Sequence, residues 1–327
     1  MLVDTHVQGG KRLLQNFVRD FIDGKNLNAV DNYLAPNFLH HDLAPGEKTL
    51  YQTGRNGTKN FFGSVVFPAF SNFSTSFEDV LGEKDLVAGR WRQSVRQTGA
   101  WLGRAPSNKQ TSIGGISIVR IRSNVIVEEW EVQDAVALLV AFNVICPPKP
   151  LEKGNRFPAS GPTPSIGGKV LTGGPLLQFA PDGCDEPTRS LDEAKAVAGQ
   201  FVTQVFHAGN VAAVDRVLAP TFVDHDLLDG QTSGPEGVKQ FVTQFKYAFP
   251  DSSFIPDIAL AEGDLVVIRW TAHGTQKNTF LGVPASGRSI SVAGINMYRI
   301  QNQKIVEKWG NWPLAETLQQ LGSIKFG

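Results

Sequence analysis

One stretch of this sequence is repeated once along the chain. Residues 102–134 and 281–313 align without a gap at a constant offset of 179. Identical pairs between the two stretches include Gly115 and Gly294, Arg120 and Arg299, Glu128 and Glu307, and Trp130 and Trp309. A repeat this long indicates two copies of one domain and not a short-period solenoid. The length of 327 residues agrees with this, because it accommodates two domains of roughly 100–200 residues each.

The repeat divides the chain into three parts. We place the first domain at 1–145, a Pro- and Gly-rich linker at 146–187, and the second domain at 188–327. The linker has no apolar periodicity, and a structureless segment of about 40 residues is uncommon inside a compact protein. Cys146 and Cys184 lie near its two ends. Neither belongs to a CxxC motif or a Cys/His cluster, so free thiols are favoured over a bridge and no metal site is predicted.

Composition and charge exclude several classes of partner. The chain is 41% hydrophobic and 19% charged, and its formal net charge is zero. It therefore lacks the basic surface expected of a protein that binds nucleic acid or an anionic membrane. No apolar run approaches the roughly 18 residues of a membrane-spanning helix. The first 12 residues lack the apolar core of a signal peptide, so we expect a cytoplasmic protein.

Each copy begins with helical patterns and continues with strand patterns. In the first copy, apolar stripes at helical spacing cover 11–22, 27–35 and 57–70. Segments with alternating polarity follow, and a last apolar stripe predicts a closing helix. We therefore predict an α+β fold in which three helices pack on a curved, mostly antiparallel sheet. Such a layer encloses a conical cavity, and concave apolar cavities are where small ligands bind.

Several segments carry a resemblance to a known family. In the second copy they are VDHDL at 223–227, AEGDLVVIRW at 261–270, FLGVPASGR at 280–288 and KIVEKWGNWPLAETLQQLG at 304–322. Related segments in the first copy include LHHDL at 39–43 and VIVEEWEVQD at 125–134. Both halves, but not the linker, resemble SnoaL-like domains, the polyketide and ester cyclase branch of the NTF2-like superfamily. The resemblance implies cone-shaped domains that pair through their sheets, here as an intramolecular pseudo-dimer.

The resemblance also implies a chemistry. Cyclases of this family perform aldol-type acid/base reactions on small hydrophobic carbonyl compounds, with no metal and no cofactor. The family's catalytic aspartate matches Asp134, whereas the second half has Pro313 there. Strict strand alternation would put Asp134 and Trp130 on one cavity wall, where Trp130 would raise the pKa of the carboxyl group. In the alternative interpretation, Asp134 is the N-cap of the closing helix.

Two histidines are further candidates. His41 and His225 lie between apolar neighbours in predicted strands, and alternation points them into the domain. Histidine titrates near neutral pH, so its side chain could orient or protonate a substrate oxygen. We take His41 as catalytic and His225 as ligand-binding. The alternative is a buried histidine bonded to its neighbours. Glu128 and Glu307 share the predicted inward parity, but ion pairs with Arg120 and Arg299 are favoured for them.

The remaining candidates for ligand contact are aromatic. They are Trp91, Trp130, Trp270, Trp309, Trp312 and Tyr298. Two other functions use the same fold: a non-catalytic binding protein with an open apolar cavity, and an assembly module whose cavities are filled by side chains. An open cavity that Asp134 and His41 face favours the enzyme.

Overall fold

The computed structural model describes residues 5–41, 54–145, 186–227, 231–310 and 312–324. Nearly all of the predicted linker, with both cysteines, lies outside this part of the chain. Its last two positions, 186 and 187, begin a helix. Leu43, one of the two apolar neighbours of His41 in the predicted strand, also lies outside the described residues.

In the first half, one strand lies between the helical segments, and the other four strands of the sheet follow them. Its elements are α1 Thr5–Phe17, a π-helical continuation Val18–Asp23, a 3₁₀ turn Leu27–Ala29, α2 Val30–Tyr33, β1 Leu34–His40, α3 Gly54–Phe61, a π-helical turn Phe62–Val66, α4 Phe67–Ala69, β2 Phe70–Glu83, β3 Leu86–Gln97, β4 Gln110–Arg122, β5 Val125–Gln133 and α5 Ala135–Ala141. The predicted helices and the closing helix are all present.

The second half repeats this order. Its elements are α6 Glu186–Gln200, a π-helical continuation Phe201–His207, a 3₁₀ turn Val211–Ala213, α7 Val214–Val217, β6 Leu218–Asp224, α8 Gly234–Ala248, β7 Ser253–Glu262, β8 Leu265–Thr275, β9 Ser289–Gln301, β10 Lys304–Trp309 and α9 Leu314–Gln320.

Each half contains one five-stranded sheet. The strand orders are β1-β5-β4-β3-β2 and β6-β10-β9-β8-β7. β1 runs parallel to β5 and β6 runs parallel to β10, while the other neighbours are antiparallel. The predicted fold, two tandem α+β domains with mostly antiparallel sheets, is confirmed.

The helices cover one face of each sheet, which we call the inner face. In the first half, the apolar stripe of α1 packs Leu14 and Phe17 against inner-face residues such as Val119 and Ile126. In the second half, Phe201 and Val205 pack in the same way against Ile305 and Tyr298. Burial of these stripes is what fixes the helices on the sheet, since apolar area removed from water is the dominant favourable term in folding.

A β-bulge changes the alternation of β5. Ile121 pairs with Ile126, but the next residue of β4, Arg120, pairs with Glu128, so Val127 is the extra residue. Ile126 lies in the inner-face core, whereas Trp130 and Val132 lie on the opposite face. The predicted alternation, which placed Ile126, Trp130 and Asp134 on one face, is therefore wrong, because a bulge shifts the parity of every later residue.

The opposite faces, which we call the outer faces, meet between the halves. Trp130 and Ile118 of the first half share one buried cluster with Trp309 and Met297 of the second. Both tryptophans are buried, with exposed fractions of 7% and 9%. Ion pairs extend this contact across the halves, and they are reciprocal: Lys11 binds Glu262, and Lys195 binds Glu83.

Candidate functional site

A cavity of about 970 Å³ is lined by residues of both halves, and its larger part lies over the inner face of the first half. Its wall is mostly apolar and includes Phe17, Phe21, Phe38, Phe61, Phe62 and Leu139. The cavity extends along α5 to residues of the second half, among them Trp270 and Trp312. Its size is in the range of cavities that enclose small organic ligands.

Polar groups gather where the cavity meets β4 and β5. Trp91 Nε1 donates a hydrogen bond to Ser117 Oγ at 3.0 Å, and Ser117 Oγ donates to Glu131 Oε2 at 2.8 Å. All three residues line the cavity. This chain of donors ends on the Glu131 carboxylate, where hydrogen bonding favours the charged form.

A glycine makes room for this arrangement. A Cβ at Gly115 would lie 2.3 Å from the Trp91 ring, and a Cβ at Gly294 would lie 2.2 Å from the Trp270 ring. Neither distance is possible for a real contact, so both positions require glycine if the indoles are to keep their places. This explains why Gly115 and Gly294 belong to the repeated sequence.

Glu129 is the most deeply buried carboxyl group of this site. Its exposed fraction is 9%, and it lines the cavity beside Glu131. Its pairing with His40 Nε2 spans 3.9 Å, which is too long for a hydrogen bond. Burial raises the pKa of Glu129 well above its usual range, and the negative charge of Glu131 raises it further. Neither Glu129 nor Glu131 was predicted, because the bulge places both on the inner face.

Asp134 lies at the edge of the cavity, directly after β5. Its Oδ1 accepts a hydrogen bond from the Ala137 backbone N–H at 2.9 Å, so Asp134 is the N-cap of α5. The capping interpretation is thus confirmed. Trp130 does not share its wall, since that indole lies on the outer face.

The histidine predicted to be catalytic does not point into the cavity. His41 stacks on Trp130, with ring centroids 4.6 Å apart and an interplanar angle of 4°. Its strand neighbour Leu39 is 40% exposed. The predicted inward orientation of His41 is wrong, because its face of β1 is the outer one. The neighbouring residue, His40, lines the cavity instead, and its alternation with the buried Phe38 is the signal that could have identified it.

His225 repeats this outer-face arrangement. It stacks on Trp309 at 4.7 Å and 1°, and its Nε2 lies 2.9 Å from Glu307 Oε2. The predicted inward orientation of the His225 ring is likewise wrong, although His225 is among the residues that line the cavity. Trp130 and Trp309, predicted to bind ligand, lie in the contact between the two sheets.

The predicted ion pairs of the outer faces are confirmed. Arg120 Nε lies 3.2 Å from Glu128, and Arg299 Nε lies 3.1 Å from Glu307. Each guanidinium also lies over a tryptophan ring, Arg120 over Trp130 and Arg299 over Trp309, at 5.6 and 5.5 Å. These groups therefore belong to the contact between the halves.

The second half fills part of the corresponding space with aromatic side chains. Trp312 stacks on Trp270 at 5.4 Å, and its ring also contacts Phe245 and Phe254 at 5.1 and 6.0 Å. Trp91, Trp270 and Trp312 line the cavity as predicted. Tyr298, in contrast, is 1% exposed in the core, and burial raises the pKa of its hydroxyl.

Different polar groups stand on the inner face of the second half. Lys308, at the position of Glu129, forms an ion pair with Asp224 at 2.7 Å. Gly310, at the position of Glu131, donates its backbone N–H to Asp226 Oδ2 at 2.6 Å. Burial raises the pKa of Asp226. This half therefore has no counterpart of the two adjacent glutamates.

Within the described residues, every helix is too short or too polar to span a membrane. No group of three or more His, Cys, Asp or Glu side chains in those residues is placed to hold a metal ion.

Comparison with known proteins identifies relatives of both halves. A family model described as SnoaL-like polyketide cyclase matches residues 12–141 and 196–321. The aklanonic acid methyl ester cyclase DauD of Streptomyces sp. (strain C5) is 30% identical over 131 residues, which cover 37% of this chain and 80% of DauD. The aklanonic acid methyl ester cyclase DnrD of Streptomyces peucetius is 32% identical over 132 residues, covering 37% and 88%. The structure of TsrD from Streptomyces laurentii is 26% identical and covers 40% of this chain and 96% of TsrD, with a TM-score of 0.38.

Proposed function

Because this chain belongs to the SnoaL-like polyketide cyclase family, we propose that its first half catalyses ring closure of a polyketide-type carbonyl compound. The observation that carries the proposal is the open apolar cavity over the first sheet, with Asp134 at its edge and two glutamates on its sheet wall. Both halves are NTF2-like domains, but only the first combines this space with a carboxyl group at the family's acid/base position.

The reaction is an intramolecular aldol addition. Asp134 removes a proton from a methylene group activated by a neighbouring carbonyl, and the resulting enolate carbon attacks a second carbonyl carbon. One C–C bond forms, one C=O π bond breaks, and the new alkoxide takes back the proton. Every step is a proton transfer or a C–C bond formation, so the proposed reaction uses no cofactor.

The capping role of Asp134 is compatible with this chemistry. One carboxylate oxygen, Oδ1, holds the Ala137 N–H, and we assign proton transfer to the other, Oδ2. This hydrogen bond fixes the carboxylate, and a fixed base within hydrogen-bond reach is what proton abstraction requires.

We propose a substrate of the kind named for the relatives, a methyl ester of a polyketide acid. The rings that line the first cavity, such as Phe17, Phe61 and Phe62, suit a flat hydrophobic skeleton. His41 has no part in the proposed mechanism, because it lies on the outer face against Trp130.

We also propose that the halves pair as an intramolecular pseudo-dimer. Support comes from reciprocal contacts: Glu262 accepts the N–H of Gly82, and Glu83 accepts the N–H of Ala261, each at 2.8 Å. Such self-complementary contacts are typical of an isologous interface. The test is truncation of the two interface tryptophans, which should destabilise the protein equally.

Asp134→Asn tests the enzymatic proposal. Asparagine caps helices as well as aspartate does but cannot transfer a proton, so turnover of aklanonic acid methyl ester should fall by about 10²–10⁴-fold while the fold is kept. Asp215→Asn, at an exposed ion pair of the second half, is the control and should keep wild-type turnover. Undiminished turnover by Asp134→Asn would remove Asp134 from the mechanism.

A non-catalytic binding protein is the second candidate. The observation in its favour is the capping bond of Asp134, which is a sufficient structural reason for an aspartate there. Under this alternative, wild-type protein binds the methyl ester and returns it unchanged. Product analysis after incubation with a stoichiometric amount of protein separates the two functions.

A further inference from the structure

We propose that Glu129 is a second catalytic residue: a neutral carboxylic acid that donates a hydrogen bond to the substrate carbonyl under attack, beside an ionised Glu131. The inference rests on the proposed ring closure. In this proposal Glu129 stabilises the carbonyl oxygen on which negative charge develops during the attack. Asp134 abstracts the proton of the methylene group.

The positions of the two carboxyl groups support this assignment. Glu129 and Glu131 are two residues apart on β5, so their side chains leave the same face with a spacing of about 7 Å between their backbone positions. Both line the cavity. Two carboxyl groups this close do not ionise independently, because the first charge disfavours the second.

The hydrogen bonds decide which group carries the charge. Glu131 accepts from Ser117, which is itself the acceptor of the Trp91 indole N–H. Glu129 has no such donor within hydrogen-bond distance among the described residues. A buried carboxylate without donors is strongly disfavoured, so the proton belongs on Glu129. Burial and the charge of Glu131 raise the pKa of Glu129 accordingly.

Among the described residues, the elements packed against Glu129 present His40 as a further titratable group. On β1, His40 is its direct strand partner, with Nε2 3.9 Å from Oε2. On β4, the direct partner is the apolar Val119. On the helices, rings such as Phe17 and Phe61 line the same cavity. His40 is thus the group whose protonation would favour an ionised Glu129, and it enters the test.

The second half contrasts with this arrangement. Asp224 of β6 stands at the position of His40, and Lys308 of β10 stands at the position of Glu129. The acidic group is therefore on β6, and Lys308 Nζ lies 2.7 Å from Asp224 Oδ1. Both charges are used within that ion pair. In the first half the wider separation leaves the Glu129 acid available to a ligand in the cavity.

The same two groups define a ligand class. A neutral acid offers a donor to a ketone or ester carbonyl, while the charge of Glu131 repels a free carboxylate. The site should therefore prefer a carbonyl compound whose acid is esterified. This preference concerns binding, and it is measurable without any turnover.

The first experiment is a ¹³C NMR titration of full-length protein labelled at the glutamate side-chain carboxyl. The signal lost in Glu129→Gln identifies Glu129. We expect it to remain that of a neutral acid at pH 7, where an ordinary glutamate, with a pKa of about 4.3, is ionised. His40→Gln should leave it neutral. An ionised Glu129 at pH 7 would overturn the proposal.

The second experiment separates donation from proton transfer. Loss of one donor to a developing oxyanion costs about 10²–10³-fold in kcat, so Glu129→Leu should show that loss. Glu129→Gln keeps an N–H donor and should recover most of kcat, with little change in KM. Glu128→Gln, the neighbouring residue on the outer face, is the matched control and should keep wild-type kcat. Unchanged kcat in Glu129→Leu would overturn the catalytic role of Glu129 and leave the proposed ring closure standing.

Binding distinguishes failure of this inference from failure of the proposed function. Wild-type protein that turns over nothing would contradict the ring-closure proposal and, with it, a catalytic Glu129. The donor role would then be decided by affinity. The methyl ester should bind about tenfold or more tightly than the free acid, and Glu129→Leu should lose affinity for the ester. Equal affinities in wild type and Glu129→Leu would overturn the donor role as well.

Discussion

The two halves carry the same groups at equivalent positions of their outer faces but different groups on their inner faces. Trp130 and Trp309 stand on equivalent outer positions, each with an arginine over the ring and a histidine stacked on it. On the inner faces, Gln133 and Thr75 of the first half correspond to Trp312 and Phe254 of the second. A few substitutions on one face thus place aromatic side chains in space that is open in the first half.

This difference has a physical reason. An outer face that meets its own copy must present matching groups from both sides, so a change in one copy requires a change in the other. An inner face has no such obligation, because it packs against the helices of its own half. Shared residues such as Trp130 and Trp309 therefore mark the contact between the copies. Differences such as Glu129 against Lys308 mark the groups that the cavity offers to a ligand.

The largest effects are expected at the outer faces, where the halves should respond alike. Trp130→Ala and Trp309→Ala each remove a buried indole from the shared cluster, and each should lower the free energy of unfolding by about 3–5 kcal/mol. Denaturant titration measures both. A loss near zero for either variant would contradict the pairing of the sheets, since an exposed tryptophan contributes little.

The inner faces should respond unequally. Trp312→Ala empties the space between Trp270, Phe245 and Phe254, and we expect a loss of about 3 kcal/mol in unfolding free energy. Gln133→Ala, at the equivalent position of the first half, removes no such packing and should stay within about 0.5 kcal/mol of wild type. Equal losses would mean that both cavities are filled to the same extent.

A smaller effect is expected when the first half is made to resemble the second. Gln133→Trp puts an indole where it can stack on Trp91, as Trp312 does on Trp270. The new side chain occupies ligand space, so affinity for aklanonic acid methyl ester should fall by about tenfold or more, or about 1.4 kcal/mol. Isothermal titration measures this, with Gln133→Ala as the control. Undiminished affinity would place the ligand elsewhere.

Sequence patterns predicted the fold well. The helical stripes of 11–22 and 57–70, the duplication and the α+β class are all confirmed, because apolar periodicity reports directly which side of an element is buried. The ion pairs of Glu128 and Glu307 with arginines were also predicted correctly. These features depend on local spacing or on the match between the two copies.

The candidate site was predicted less well, for two reasons. A bulge leaves no signature in the polarity pattern of VIVEEWEV, so Glu129 and Glu131 were assigned to the outer face. In addition, strand alternation was taken to point His41 and Trp130 into the cavity, whereas their rings stack on each other at the outer face. Asp134 was found through family resemblance, and its capping bond through its position before an apolar helix.

Val127 and Val306 are the extra residues of the last strands, and each must stay unpaired for its strand to serve two surfaces. If Val127 instead paired with Arg120, every later residue of β5 would change face. Glu129 and Glu131 would then lie in the contact between the sheets, and the Trp130 indole would occupy ligand space.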